Sequence, residues 1–370
     1  MRGAAVLVGG EPGIGKSTLM LQIAAMGIRG GRALYVSGEE SAEQLHSRAV
    51  RLGTVTDRIE VLCESRIEAI LDTIKTLRPV LVVVDSIQTI VSEEAGPVPG
   101  TVNQIKYVSH ELMDITRRDG ISLFIVAHVT KEGTISGPKV VEHMVDTVLY
   151  FDQSDSDLRI LRATKNRFGS SDEIGLFVMR EEGLREVGEP DVLFLNHRTG
   201  DLPAGVVVAP VYEGSRILLV ELQALVVPAK GSVSRVYSDR IDLGRVSRVA
   251  AVVEKHLGLR LSDHDIYVNV AGGIRINEVG IELPIALALY SARTAISVES
   301  GVASAGELTL AGEIRPIRQM AARLKATRSL SIRKMIGPAS VDSIDSVEWH
   351  RVDTIGEAIA SVFGSSDFRA

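Results

Sequence analysis

Cysteine is almost absent: Cys63 stands alone in 370 residues. One thiol excludes a disulfide within the chain and a cysteine-rich zinc site in it. Its setting, the apolar strand pattern IEVLC at 59–63, predicts a buried thiol. Aromatic residues are scarce, at 4%, which argues against base stacking as the main grip on any nucleic acid. No apolar run approaches the ~20 residues that cross a bilayer. The longest, such as 79–84 and 205–212, are strand-sized. The start shows no basic-then-apolar signal segment, so a cytoplasmic chain with no membrane partner is expected. A formal net charge of −6 offers nucleic acid no general attraction; such a partner would have to be met by local basic patches. Apolar residues are plentiful, at 45%, and the length is comfortable for two domains.

The segment that organises the chain is GEPGIGKST, residues 10–18. Gly10, Gly15, Lys16 and Ser17 fit the phosphate-binding pattern G-x-x-x-x-G-K-[ST]. An apolar run at 4–8 leads in as a strand, and a helical pattern leads out from Thr18. Glycines let backbone N–H groups turn inward around an anion, and the helix that starts near Lys16 adds its positive end. Gly10, Glu11, Pro12, Gly13, Ile14, Gly15, Lys16, Ser17 and Thr18 form the expected nucleotide-binding set for ATP. Lys16 would reach the β- and γ-phosphates and Ser17 would ligate Mg2+. The loop begins almost at residue 1, whereas proteins with such a loop usually carry something before it, so a trimmed chain is expected.

Residues 1–186 alternate strand and helix patterns, as a mostly parallel sheet covered by helices does. Strands are expected at 32–37, 80–84 and 121–127, with a hairpin over 147–151 and 158–163. Polar residues at the carboxyl ends of such strands converge on the phosphate loop. Asp85, ending the second of these runs, is expected to hold Mg2+ opposite Ser17. Glu39 is placed to orient or deprotonate a water attacking the γ-phosphate, but Glu40 is adjacent and spacing does not separate them. His128 reads as a γ-phosphate sensor or as a satisfied histidine at a strand end. Segments 92–101 and 130–140 read as mobile loops that could grip a polymer or simply face solvent. Lys165 and Arg167, in KNRFG, point to one side if their strand continues. They would complete a neighbour's ATP site, contact nucleic-acid phosphate, or end a solvated strand.

Together, GEPGIGKST, YVSGEES, LVVVDSIQT, VAHVTKEG with ISGPK and VEHMVDTVLYF, and KNRFG resemble the bacterial RadA (Sms) family of DNA repair proteins over nearly the whole chain. The resemblance implies a fold: a RecA-like P-loop ATPase core followed by a smaller α+β Lon-protease-like domain. It also implies a hexameric, DnaB-like ring ATPase that moves on single-stranded and branched DNA alongside a RecA-type recombinase. By resemblance Glu39 matches the catalytic glutamate, Asp85 the second nucleotide-site acid and His128 the γ-phosphate-sensing position. Lys165 and Arg167 match the signature that links ATP use to DNA and to the neighbouring subunit. The family usually begins with a four-cysteine zinc finger and a short lead-in, which this sequence does not contain.

A break near 186–190 starts the second domain, 187–370, which has no phosphate loop. Its segments 268–292 and 306–317 resemble the proteolytic domain of Lon proteases. There a serine is activated by a lysine of lowered pKa. Here 276–289 contains no serine, and the lysine position falls on Ala321. A non-proteolytic scaffold is expected. Between 314 and 340 stand Arg315, Arg318, Arg323, Lys325, Arg328, Arg333 and Lys334 with no acid among them. Arg245, Arg248, Lys255 and Arg260 add a basic helical region. These read as a solvated face or as a track along DNA phosphates. The competing functional readings are an ATP-dependent protease, a recombinase-type filament ATPase and a clock-type phosphotransferase.

Overall fold

Apolar residues in the first half alternate between two faces, and two helical layers answer them. The computed structural model describes residues 3–26, 31–128, 139–154, 158–171, 173–187, 195, 202–231, 234–328, 332–338 and 347–364. The chain divides into two units, Met1–Val187 and Gly188–Ala370.

In the first unit, strand β1 (Ala5–Gly10) is followed by α1 (Lys16–Met26), β2 (Ala33–Ser37), α2 (Ala42–Arg51), β3 (Ile59–Cys63), α3 (Ile67–Leu77) and β4 (Leu81–Asp85). Next come α4 (Val102–Asp119), β5 (Ser122–His128), the short α5 (Lys139–Met144), β6 (Thr147–Gln153), β7 (Leu158–Asn166), β8 (Ile174–Arg180) and β9 (Gly183–Glu186). The sheet order is β3-β2-β4-β5-β1-β6-β7-β8-β9. Pairing is parallel from β3 to β6 and antiparallel beyond. The expected hairpin is therefore the start of a four-strand antiparallel extension. Its outer strands β8 and β9 escaped the sequence reading.

Val82, Val84, Leu123 and Ile125 face one side, against Ile70 and Ile74 of α3 and Ile105, Val108 and Leu112 of α4. Tyr35, Val83 and Val126 face the other, against Met20, Leu21 and Ala24 of α1. Strands buried on both faces are what the continuous apolar runs demanded. Helix ends are set locally. Ser41 and Gln44 close a capping box on α2. Thr101 caps α4, and Gly120 ends it with a left-handed backbone at φ +68°. Cys63 corrects one expectation: it is exposed. It ends β3, the sheet's edge strand, so only one neighbour covers it.

Segment 92–101 has specific anchors. The Gln104 side chain accepts from Ser92 N–H (2.9 Å) and donates to the Ser92 carbonyl (2.8 Å) and the Gly96 carbonyl. Of segment 130–140, only Lys139 and Val140, opening α5, lie within the described residues.

The second unit holds β10 (Val206–Glu213), β11 (Arg216–Pro228), β12 (Val236–Ser238), α6 (Leu243–Leu257), β13 (His264–Val270) and α7 (Glu282–Thr294). They are followed by β14 (Val302–Ser304), β15 (Glu307–Leu308), β16 (Ile314–Arg315), α8 (Met320–Arg328), β17 (Lys334–Pro338), β18 (Glu348–Val352) and α9 (Ile355–Phe363). A mixed sheet runs β12-β13-β11-β10-β14-β17-β18, and β15 pairs with β16. Helix α7 is buried without a break from Glu282 to Ser291, as a helix inside a core must be.

Candidate active site

The loop between β1 and α1 is shaped by its glycines. Gly13 and Gly15 hold φ +80° and +110°, values that side chains disfavour. A Cβ on Gly10 would stand 2.6 Å from the Phe151 carbonyl, and one on Gly15 would stand 2.8 Å from Met179 Cε. The loop is thus pressed against the β6–β8 extension, where Phe151 and Phe177 meet edge to face at 6.3 Å. Ile14 is buried and anchors the turn, while Glu11, Pro12 and Gly13 face out. Ser17 is half-buried and Thr18 buried in the first turn of α1.

Lys16 is only 4% exposed. Its ammonium donates to the carbonyls of Gly10 and Glu11, both at 2.8 Å. Burial pushes its pKa down from 10.5 to about 8, against the opposing pull of Asp85, Glu39 and Glu11. A buried ammonium wrapped by its own loop is a site prepared for anionic oxygens.

The carboxyl ends of β2, β4 and β5 bring the acids to this edge. Tyr35 donates its hydroxyl to Asp85 Oδ2 at 2.6 Å. Ser86 donates to Glu39 Oε1 at 2.5 Å, and His128 Nε2 lies 3.2 Å from the same oxygen. Glu40 keeps other company: its Oε1 pairs with Arg48 at 2.5 Å, and its N–H donates to Ser37 Oγ. Glu39 and Glu40, equivalent by spacing, are therefore distinct in space. Gln88 donates to the His128 carbonyl at 3.3 Å. Gln88 Oε1, His128 Nδ1 and Glu40 Oε2 are buried without a protein partner among the described residues. Tyr35, Ser86 and Gln88 were not singled out in the sequence. The signals were a lone hydroxyl in the apolar strand ALYVS and the hydroxyl directly after Asp85.

No group of three or more His, Cys, Asp or Glu side chains among the described residues could cage a metal ion. Ser17 and Asp85 are the protein oxygens expected to serve Mg2+. So sparse a set fits an ion that keeps several waters and takes its other ligands from substrate phosphates.

Lys165 and Arg167 lie elsewhere. Lys165 pairs in register with Val148, and Thr147 of the same strand pairs with Val6 of β1. This is the amino-terminal edge of the sheet, opposite the phosphate loop. Strand β7 ends at Asn166, so the expected alternation stops before Arg167. The Lys165 ammonium caps the end of α5, donating to the carbonyls of Glu142 (2.7 Å), His143 (3.2 Å) and Val145 (2.8 Å). Arg167 bonds Asp146 Oδ1 at 3.3 Å, and Arg117 approaches the same oxygen at 3.5 Å. Asp146 Oδ2 accepts from the Ala5 N–H at 3.0 Å.

A family model described as an AAA domain matches residues 1–134, and one described as subunit ChlI of Mg-chelatase matches 244–340. The DNA repair protein RadA of Treponema pallidum is 51% identical over 99% of this chain and 80% of its own length. The chain belongs to the RadA family of DNA repair proteins. RadA of Bacillus subtilis is 44% identical over 92% of this chain and 74% of its own length. RadA of Streptococcus pyogenes serotype M6 is 42% identical over 98% and 81%. A KaiC-like protein of Pyrococcus horikoshii OT3 matches at TM-score 0.41 and 20% identity, covering 50% of this chain and 90% of that one.

In this RadA-family chain the second unit buries a few of its charges as pairs. Arg323 is buried and bonds both carboxylate oxygens of Glu278, at 2.8 and 2.5 Å, as well as the Pro210 carbonyl. Buried Glu282 takes Arg248 at 2.5 Å and Arg245 at 3.5 Å. Arg333 pairs with Glu299, Arg315 with Glu313, and Lys334 donates to the Ser361 carbonyl. Of the two readings of these cations, solvated face or phosphate track, neither is excluded by these pairs: Arg323 and Arg245 turn inward, while Arg248, Lys255, Arg260, Arg315, Arg318, Lys325 and Arg333 remain exposed. The Arg328 side chain lies outside the described residues. Ala321, at the lysine position of the Lon-type dyad, is exposed on α8. No helix among the described residues is long and apolar enough to cross a membrane.

Proposed function

We propose that this chain is a DNA-dependent ATPase and DnaB-type helicase. It moves on single-stranded DNA and promotes branch migration of recombination intermediates beside a RecA-type recombinase, in the cytoplasm, as a hexameric ring. The observation that carries this reading is Glu39. Its carboxylate is held by Ser86 and His128 at the sheet edge where Lys16 lies buried in the phosphate loop. ATP supplies the phosphoanhydride bond, and Ser17 and Asp85 would hold an Mg2+ ion that would neutralise charge on its phosphates. Lys16 exchanges its two loop carbonyls for β- and γ-phosphate oxygens. Glu39 orients the attacking water, and His128, sharing the Glu39 oxygen, responds to the γ-phosphate.

Lys165 or Arg167 of a neighbouring copy stabilises the developing charge from outside. In a single protomer both cations are engaged by α5 carbonyls and Asp146, so reaching a neighbour's ATP requires them to change partners. Segments 92–101 and 130–140 carry the DNA strand, and the second unit holds the ring together without peptidase activity. The test is ATPase rate with and without single-stranded DNA at two salt concentrations, with mass by light scattering. A monomer whose turnover ignores DNA overturns the proposal.

A further inference from the structure

Among the described residues, both acids at the site are engaged through one side-chain oxygen. Tyr35 and Asp85 belong to adjacent parallel strands; Tyr35 pairs in register with Val83, so Asp85 is its diagonal neighbour on the same face. The Tyr35 ring is fully buried against α1. Facing a carboxylate that has no proton to give, its hydroxyl is the donor of the 2.6 Å bond to Asp85 Oδ2. Ser86, also fully buried, begins the short helical turn Ile87–Thr89; its carbonyl accepts from Thr89 Oγ1 at 2.8 Å, fixing its backbone. No protein donor among the described residues reaches Asp85 Oδ1 or Glu39 Oε2.

We propose that Tyr35 and Ser86 are positioning residues that sort the oxygens of the two acids. The Tyr35 hydroxyl occupies Asp85 Oδ2 and the Ser86 hydroxyl occupies Glu39 Oε1, so Asp85 Oδ1 and Glu39 Oε2 are the working oxygens. A carboxylate offers about four lone-pair sites and turns freely when exposed. Tying one oxygen to a buried hydroxyl leaves the other in a single direction, the positioning that catalysis rewards. Asp85 Oδ1 then serves the metal side of the nucleotide, and Glu39 Oε2 serves the water. The inference rests on the active-site reading above.

The test compares Tyr35→Phe and Ser86→Ala in the full chain, reading a fluorescent ADP analogue, ADP–aluminium fluoride and steady-state turnover across Mg2+ concentrations. In Tyr35→Phe the Mg2+ concentration for half-maximal nucleotide binding rises by about tenfold, the equivalent of one charged hydrogen bond, while Mg2+-free binding stays within about twofold. In Ser86→Ala kcat falls by about 10- to 100-fold and ADP–aluminium fluoride binding weakens in step, with ADP binding within about twofold. Ser86→Cys fills the same space with a poor donor and gives the same split. Unchanged Mg2+ dependence in Tyr35→Phe, wild-type turnover in Ser86→Ala, or equal losses in every readout overturns the inference. Glu39→Gln separates the two levels. Wild-type turnover there defeats the active-site reading itself, whereas an inactive Glu39→Gln beside a fully active Ser86→Ala defeats only the oxygen sorting.

Discussion

Arg48 and Glu40 form a half-buried ion pair, Nη2 to Oε1 at 2.5 Å, one residue away from the carboxylate that Ser86 and His128 hold. On the proposed reading the pair occupies Glu40 and leaves Glu39 to orient the attacking water. Glu39→Gln is expected to lower kcat by about 100-fold or more, the ordinary worth of a general base. Glu40→Gln loses only a partly screened pair, about 1 kcal/mol of stability, and keeps turnover within about fivefold. Steady-state ATPase assays and urea denaturation of both variants check this; equal losses of turnover would refute the assignment.

On the proposed reading, Lys16→Ala removes the ammonium that would exchange loop carbonyls for phosphate oxygens, and ATP hydrolysis is expected to fall to background. Near-normal turnover in that variant would remove the phosphate-loop role.

The same lysine sets a pH dependence. Its pKa of about 8 in the free site lies below the ordinary 10.5 because burial disfavours the charged form. Bound phosphates favour the ammonium, so binding takes up a proton above the free-site value. Nucleotide affinity is therefore expected to be flat below pH 8 and to fall by up to about tenfold per pH unit above it. Calorimetry in buffers of different ionisation enthalpy reads the proton uptake directly. Stability of the nucleotide-free chain moves the other way. The unfolded lysine keeps its proton to a higher pH, so this contribution rises between pH 8 and 10.5.

The central β strands and the phosphate loop were legible because their signals are local: β-branched runs, glycine spacing and the residues that end each strand. The two acids after β2 were legible as a pair but not as individuals, since only packing brings Arg48 to one and Ser86 to the other. Cys63 misled because an apolar strand pattern does not say whether the strand has one neighbour or two. The basic run from Arg315 to Lys334 was legible only as a choice between a solvated face and a phosphate track, for a related reason. Its counter-charges, Glu278 and Glu299 among them, lie dozens of residues away and meet it only in the fold.

Arg167→Ala is expected to cut DNA-stimulated turnover, with the melting temperature held within a few degrees, because the side chain is 54% exposed. Wild-type turnover in that variant would count against action on a neighbouring copy. Asp146→Ala is a different perturbation: it strands the buried Ala5 N–H and costs about 1–3 kcal/mol. Chemical denaturation of the two variants separates the surface cation from its structural anchor.

Arg323→Met leaves Glu278 without its bidentate partner and is expected to destabilise the second unit by about 3–5 kcal/mol. Replacing Glu278 by Met as well should recover most of that loss, since a paired charge carries its own desolvation cost. Hydrogen exchange across β10 and α8 localises the effect.

Strand β6 touches Gly10 at one end, through Phe151, and begins beside Asp146 at the other. Phe151 lies four residue steps beyond Thr147, roughly 13 Å at about 3.3 Å per residue. One strand thus links the two rims of the sheet, the phosphate loop at its far end and the Asp146–Arg167 pair at its start, and its pairing with β7 shifts register between Val148 and Leu149.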